Sequence, residues 1–195
     1  MGQTQNEIKV IINDMIDAKL NAVNTALPGT IVSYDAATNR AQVQPSGTYQ
    51  CPDDRRLSYP VIHNVPIIMQ TSAGGSSGIT VPVKVGDGVL LHFSQSQLDS
   101  FLNGSDSVDK RRHDMNDCIA TLGLTSDASD GQTAHPNDTV ISNGATQIIL
   151  STDSIRMTAG GSTLVLGSAG LVVNGVNLST HTHSDPQGGK VGPPE

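Results

Sequence analysis

The chain has 195 residues, enough for one ordinary domain or two small ones. Lys plus Arg number 11 against 18 Asp plus Glu, a formal net charge of -7, which argues against a generic phosphate-backbone binder. Aromatics make up 3% and Trp is absent, so the interior must be built from Val, Ile and Leu.

No segment approaches the ~18 apolar residues of a membrane helix. The N-terminus carries no charged region followed by an apolar core and a cleavage site, and reads as lacking a secretory signal. Cys51 and Cys118 are too few for a disulfide framework. They read most simply as reduced thiols in a protein made in a cytoplasm. A Cys51–Cys118 bridge is the other reading open to the sequence.

Residues 1–28 form the first segment, with a helix predicted over 5–27. Ile8, Ile12, Met15, Ile16, Leu20, Val23 and Leu27 recur at steps of three or four, and Pro28-Gly29 supplies a stop. Lys19 interrupts one possible heptad seam. Such a helix either packs on its own domain or acts as an adaptor, bundling with copies of itself or docking on another protein.

Over 29–122 the period changes to two. Ile31–Tyr34, a polar turn at Asp35–Asn39, and Arg40–Pro45 predict a β-hairpin. Val61–Met69 is a further extended stretch, and Thr71–Gly78 reads as a flexible loop. Ile79–Val85 alternates, with Pro82 arguing for an edge or bulge, and Val89–Phe93 returns after Gly86-Asp87-Gly88. Leu98–Leu102 suggests a short helical turn and Cys118–Leu122 a last strand. Five or so short strands with one small helical piece fit an OB-type barrel.

Residues 123–138 are polar and read as a linker. From Thr139 to Thr180 the only charged residues are Asp153 and Arg156. Apolar pairs at i, i+2 recur as Ile148/Leu150, Ile155/Met157, Leu164/Leu166, Leu171/Val173 and Val176/Leu178, with glycines near the expected turns. Each short strand supplies two side chains to one face, and the segment has nothing of its own to cover them. Three chains winding into a triangular β-prism would bury that face and remove the open edges. A single-chain hairpin stack is the alternative, and it leaves Leu164, Leu166, Leu171 and Val173 hard to cover.

Residues 181–195 end the chain. His181 and His183, spaced i, i+2, point to the same side of an extended strand. Three chains meeting on an axis would offer six imidazole nitrogens, enough for an octahedral metal site. Imidazole suits zinc, copper, iron and nickel, and six-coordination disfavours zinc. A polar tail with two stray histidines is the alternative.

Together these features resemble the central membrane-piercing spikes of contractile-tailed bacteriophages. The resemblance covers residues 29–195. It rests on Gly29-Thr30-Ile31-Val32, Val85–Leu91 and Arg111-Arg112-His113-Asp114 in the barrel. At the end of the chain it rests on His181-Thr182-His183, Gly188-Gly189 and Gly192-Pro193-Pro194. It implies a mainly β homotrimer with an OB-fold collar, an intertwined β-helical stem over 139–180, and a metal-bound tip. It also implies about one iron ion per trimer, held by His181 and His183 of each chain, and docking on a baseplate hub or tail tube. The implied location is the tip of the virion's tail, and the implied action is puncture of the host outer membrane.

The other candidates weigh less. His63, His92, His113 and His135 lack ligand spacing and read as barrel or loop histidines. Lys110–Asp114 reads as a solvated or inter-subunit ion-pair surface, with contact to a hub protein the alternative. Asp106, Asp109, Asp114 and Asp117 do not match a calcium loop. Asp53-Asp54-Arg55-Arg56 is expected to pair its own charges. No GxSxG, HExxH or P-loop occurs, and Glu7 and Glu195 are the only glutamates, so no enzyme is expected. Two other classes compete with the spike. One is an OB-fold nucleic-acid or protein-binding module with a trimerisation tail, and the acidic balance disfavours nucleic acid. The other is a metalloenzyme, which would need a vacant coordination position.

Overall fold

The computed structural model describes residues 2–51, 54–104, 109–126, 135–184 and 186–192. The protein is mainly β, with an N-terminal helix. It divides into two compact units, Met1–Gly131 and Gln132–Glu195.

In the first unit, helix α1 spans Gly2–Asn21. The helix predicted over 5–27 is therefore too long at its C-terminal end. Its last turn tightens, with the N–H of Val23 donating to the carbonyl of Leu20 (3.1 Å). The chain is then drawn into the barrel: Asn24 Nδ2 donates to the His113 carbonyl (2.8 Å) and the Phe93 N–H to the Thr25 carbonyl (3.0 Å). Leu27, Pro28 and Gly29 lie inside the first strand rather than ending a helix.

Five strands close the barrel: β1 (Ala26–Asp35), β2 (Arg40–Pro45), β3 (Ile62–Ile68), β4 (Gly88–Phe93) and β5 (Cys118–Leu122). The order around the barrel is β1-β2-β3-β5-β4. β3 and β5 run parallel and the other neighbours antiparallel. This is the arrangement expected of an OB-like barrel. Alternation sends Ile31, Val43, Val65, Ile67, Val89, Leu91, Cys118 and Ala120 inward to form the core. Across β4 and β5 the inward pairs Leu91↔Ala120 and Phe93↔Cys118 set the register.

Gly29 closes the barrel where three strands crowd together. A Cβ there would lie 2.8 Å from Val43 Cγ1 and 3.3 Å from Leu91 Cδ1. Asn39, at φ 53 in the β1–β2 turn, ties that turn to β3 by donating from Nδ2 to the Ile67 carbonyl (2.8 Å).

Two stretches depart from the sequence reading. The expected loop at 71–78 is a short hairpin, Gln70–Ser72 paired with Ser77–Ile79. The strand expected over 79–85 ends at Ile79. Pro82 has no N–H for a ladder, and the N–H of Lys84 instead donates to Asp87 Oδ2 (2.8 Å). Helix α2 (Asp99–Asn103) lies between β4 and β5.

In the second unit, six strands form one antiparallel meander: β6 (Thr139–Asn143), β7 (Thr146–Leu150), β8 (Ile155–Ala159), β9 (Ser162–Gly167), β10 (Gly170–Val173) and β11 (Val176–Asn177). Tight reversals join them, and Asn174-Gly175, both at positive φ, form the last. A two-stranded hairpin follows, β12 (His183–Ser184) with β13 (Lys190–Val191). Among the described residues no helix is long and apolar enough to cross a membrane.

Candidate functional site

The register of the meander decides which side chains share a face. Directly opposed residues in a ladder project to the same side. Ile141, Ile148, Met157, Leu164, Val173 and Val176 are opposed in succession across all six strands. Leu150, Ile155, Leu166 and Leu171 form a second row on that face, two residues away along each strand. Leu178 joins that row's end by donating its N–H to the Leu171 carbonyl (2.9 Å). The i, i+2 pairs seen in the sequence are thus two adjacent apolar rows on one face of one sheet.

Within this unit the described residues leave these rows partly exposed. Met157 is 42% exposed and Leu166 49%. No described residue beyond 134 is fully buried. The opposite face carries Val140, Ile149, Arg156, Val165 and Val172 in one row.

At the C-terminal end of this sheet the structure brings His181 and His183 together. Their rings meet edge to face, with centroids 4.8 Å apart. His181 is held from two sides. Its backbone N–H donates to the Asn177 carbonyl (3.0 Å), and its Nδ1 lies 3.0 Å from the Leu178 carbonyl. A carbonyl only accepts, so in the neutral ring Nδ1 carries the proton and Nε2 keeps a free lone pair. A ligating histidine is ordinarily oriented in this way. The chemistry of the two rings therefore suits a metal that accepts imidazole. Among the described residues, no third His, Cys, Asp or Glu joins them.

Asn177 is the residue that sequence reading missed. Its Nδ2 donates to the Ala169 carbonyl (2.6 Å) and its Oδ1 accepts from the Ser179 N–H (2.9 Å). The segment leading to His181 is thereby locked onto the preceding hairpin turn. Asparagine four residues before a histidine is too common a spacing to have signalled this.

In the barrel unit, the basic run has an internal role. Arg111 pairs with Asp99 (2.8 Å) and Asp109 (2.6 Å), and its Nη1 lies 3.6 Å from Asp117. These partners hold the guanidinium above its usual pKa, the hydrogen bond to Asp99 foremost. Asp117 is 3% exposed, and its Oδ1 accepts from the Leu98 N–H (3.0 Å). The backbone hydrogen bond from Arg111 holds Asp109 below the usual carboxylate range.

His113 sits at φ 52 and donates its backbone N–H to the Ser94 carbonyl (3.1 Å). It belongs to the loop that closes onto α1's exit, and His63 lies on barrel strand β3, His92 on β4. Both cysteines are free thiols, and burial pushes the Cys118 thiol up to about 12. Asp54 accepts from Gln50 Nε2 (2.9 Å). Asp53, Asp106, Asp185 and residues 193–195 lie outside the described residues.

A closed OB-like barrel, with a second unit whose strands carry a partly exposed apolar face, defines a mainly β protein. Residues 27–123 match the family model of the phage protein Gp138 N-terminal domain, a span running from the first barrel strand to just past the last. The similarity supports a phage structural protein, associated with the virion. No curated protein matches the chain.

Proposed function

We propose that this protein is the homotrimeric central spike of a contractile phage tail, driven through the host outer membrane on contraction. The observation that carries this reading is the pair of apolar rows on the meander. Two such rows, one across six strands and one across four, cannot stay in water without inviting aggregation. Copies of the same chain offer the same surface, and a closed symmetric arrangement covers all of them at once.

The C-terminal histidines support the same reading. His181 and His183 of three chains would hold one ion, iron being the metal the resemblance favours. Bound there, it would supply a cross-link between the three chains just past the last strand of each meander. The near absence of charge over 139–180 lowers the cost of desolvating a stem pushed through lipid. Gly188, at positive φ, lies in the reversal between β12 and β13. The role is structural rather than enzymatic, and the barrel is the part that docks on the baseplate hub or tail tube.

Metal content per chain, measured beside mass in solution, tests the proposal. About one iron per three chains in a trimer is the expected result. A metal-free monomer would overturn it and favour an OB-fold binding module.

A further inference from the structure

Among the described residues, the apolar side chains of helix α1 stay largely exposed. Ile8, Ile11, Ile12, Met15 and Ile16 are all about half exposed or more. An isolated helix of this length is marginal in water. Here it has no opposite-charge pair at i, i+3 or i, i+4 to help it, and Asp14 and Asp17 are a like-charge pair at i, i+3.

One heptad assignment reconciles these features. With Ile8 and Met15 at a, and Ile11 and Ala18 at d, the seam contains no charge. A seam through Ile12 and Met15 instead would put Lys19 on the axis. In the first assignment Lys19 falls at e and Asp14 at g. In a parallel bundle, a g residue faces the e residue of the following heptad on the neighbouring helix. Asp14 then meets Lys19 of the adjacent copy, a pair that i, i+5 spacing forbids within one helix. Isoleucine at both a and d in the first full heptad favours bundles of more than two strands. Ile12, at e, widens the seam, whereas Ile16 at b and Leu20 at f lie outside it.

We infer that the α1 helices of three copies of this chain form a parallel bundle, joined by Asp14–Lys19 pairs between neighbours. The inference rests on the trimer proposed above and adds a second point of assembly at the opposite end of the sequence.

The test uses the full chain with Cys51→Ser, carrying either Ile11→Cys at d or Asn13→Cys at f. Each is mildly oxidised, and covalent dimers are measured beside mass in solution. Adjacent d positions come within disulfide reach and f positions do not, so Ile11→Cys should link on the order of tenfold faster. Asp14→Lys should slow that linking, and adding Lys19→Asp should restore it. Equal linking from Ile11→Cys and Asn13→Cys in a protein of trimer mass overturns the bundle and leaves the trimer standing. It would assign α1 to a different protein. Monomer mass with no linking overturns both. A failure of Lys19→Asp to restore linking overturns the parallel register.

Discussion

Leu166 and Leu171 stand directly opposite one another across β9 and β10, and in the single chain neither is buried. Their energetic weight depends on what lies above them. In a solitary sheet, Leu166→Ala is a surface change worth less than about 0.5 kcal/mol. Under two neighbouring chains it is a core truncation costing about 2–5 kcal/mol per chain. We expect the larger effect, read as a drop in thermal stability together with loss of trimer mass in a dilution series. An unchanged melting profile would remove the covered-stem argument.

His181→Ala should abolish stoichiometric metal, and His183→Ala should do the same, since each removes half of a chain's donors. Asn177→Ala leaves both imidazoles but releases the segment that orients His181. An affinity loss of about 10–100-fold is expected, the range for supports of metal ligands. Competition with a chelator followed by metal analysis measures all three. Full retention of metal by His181→Ala would place the ion elsewhere.

The Arg111 cluster offers a contrast between buried and exposed carboxylates. Asp117→Ala leaves the Leu98 N–H without its acceptor and should cost about 1–3 kcal/mol in urea unfolding of the barrel. Asp109→Asn breaks a solvent-exposed pair and should leave the unfolding midpoint almost unchanged. Reversed magnitudes would mean that Asp117 is not what fixes the loop ahead of α2.

Burial raises the Cys118 thiol from its ordinary 9.0 to about 12. The folded state therefore holds this proton more tightly than the unfolded chain does. The associated stability is complete below 9.0 and is lost as the pH climbs towards 12. Alkylation near pH 8 should modify Cys51 and spare Cys118. Cys118→Ala should flatten the alkaline part of the stability profile. Rapid labelling of Cys118 at pH 8 in folded protein would contradict the burial.

What the sequence disclosed and what it concealed divide along physical lines. The pairs Ile148/Leu150 through Leu171/Val173 were legible because a period of two reports a face directly, and the hairpins left no register to choose. The barrel strands read at 31–34, 40–45, 61–69, 89–93 and 118–122 announced themselves in the same way, within a few residues of the observed bounds. The end of α1 did not, because Pro28-Gly29 looks like a helix stop. Its actual use, a bare backbone pressed between Val43 and Leu91, depends on strands distant in sequence. The Arg111 cluster was hidden for the same reason, since Asp99 and Asp117 flank it from either side of a folded loop. At the chain end the spacing of His181 and His183 was readable. The carbonyl of Leu178 that fixes the tautomer was not, because backbone groups leave no mark on composition.

The meander has a further consequence for how such a protein varies. Every strand from β6 to β11 pairs only with its immediate neighbours in sequence, so the ladder closes no long loops. It can assemble by local zippering, the fast regime for β structure. Its extent is then set by a simple count. Adding or deleting one hairpin changes the stack by two strand spacings of about 4.8 Å each, without disturbing the barrel core. Length becomes an independent variable, adjustable by duplicating one hairpin's worth of coding sequence at a time.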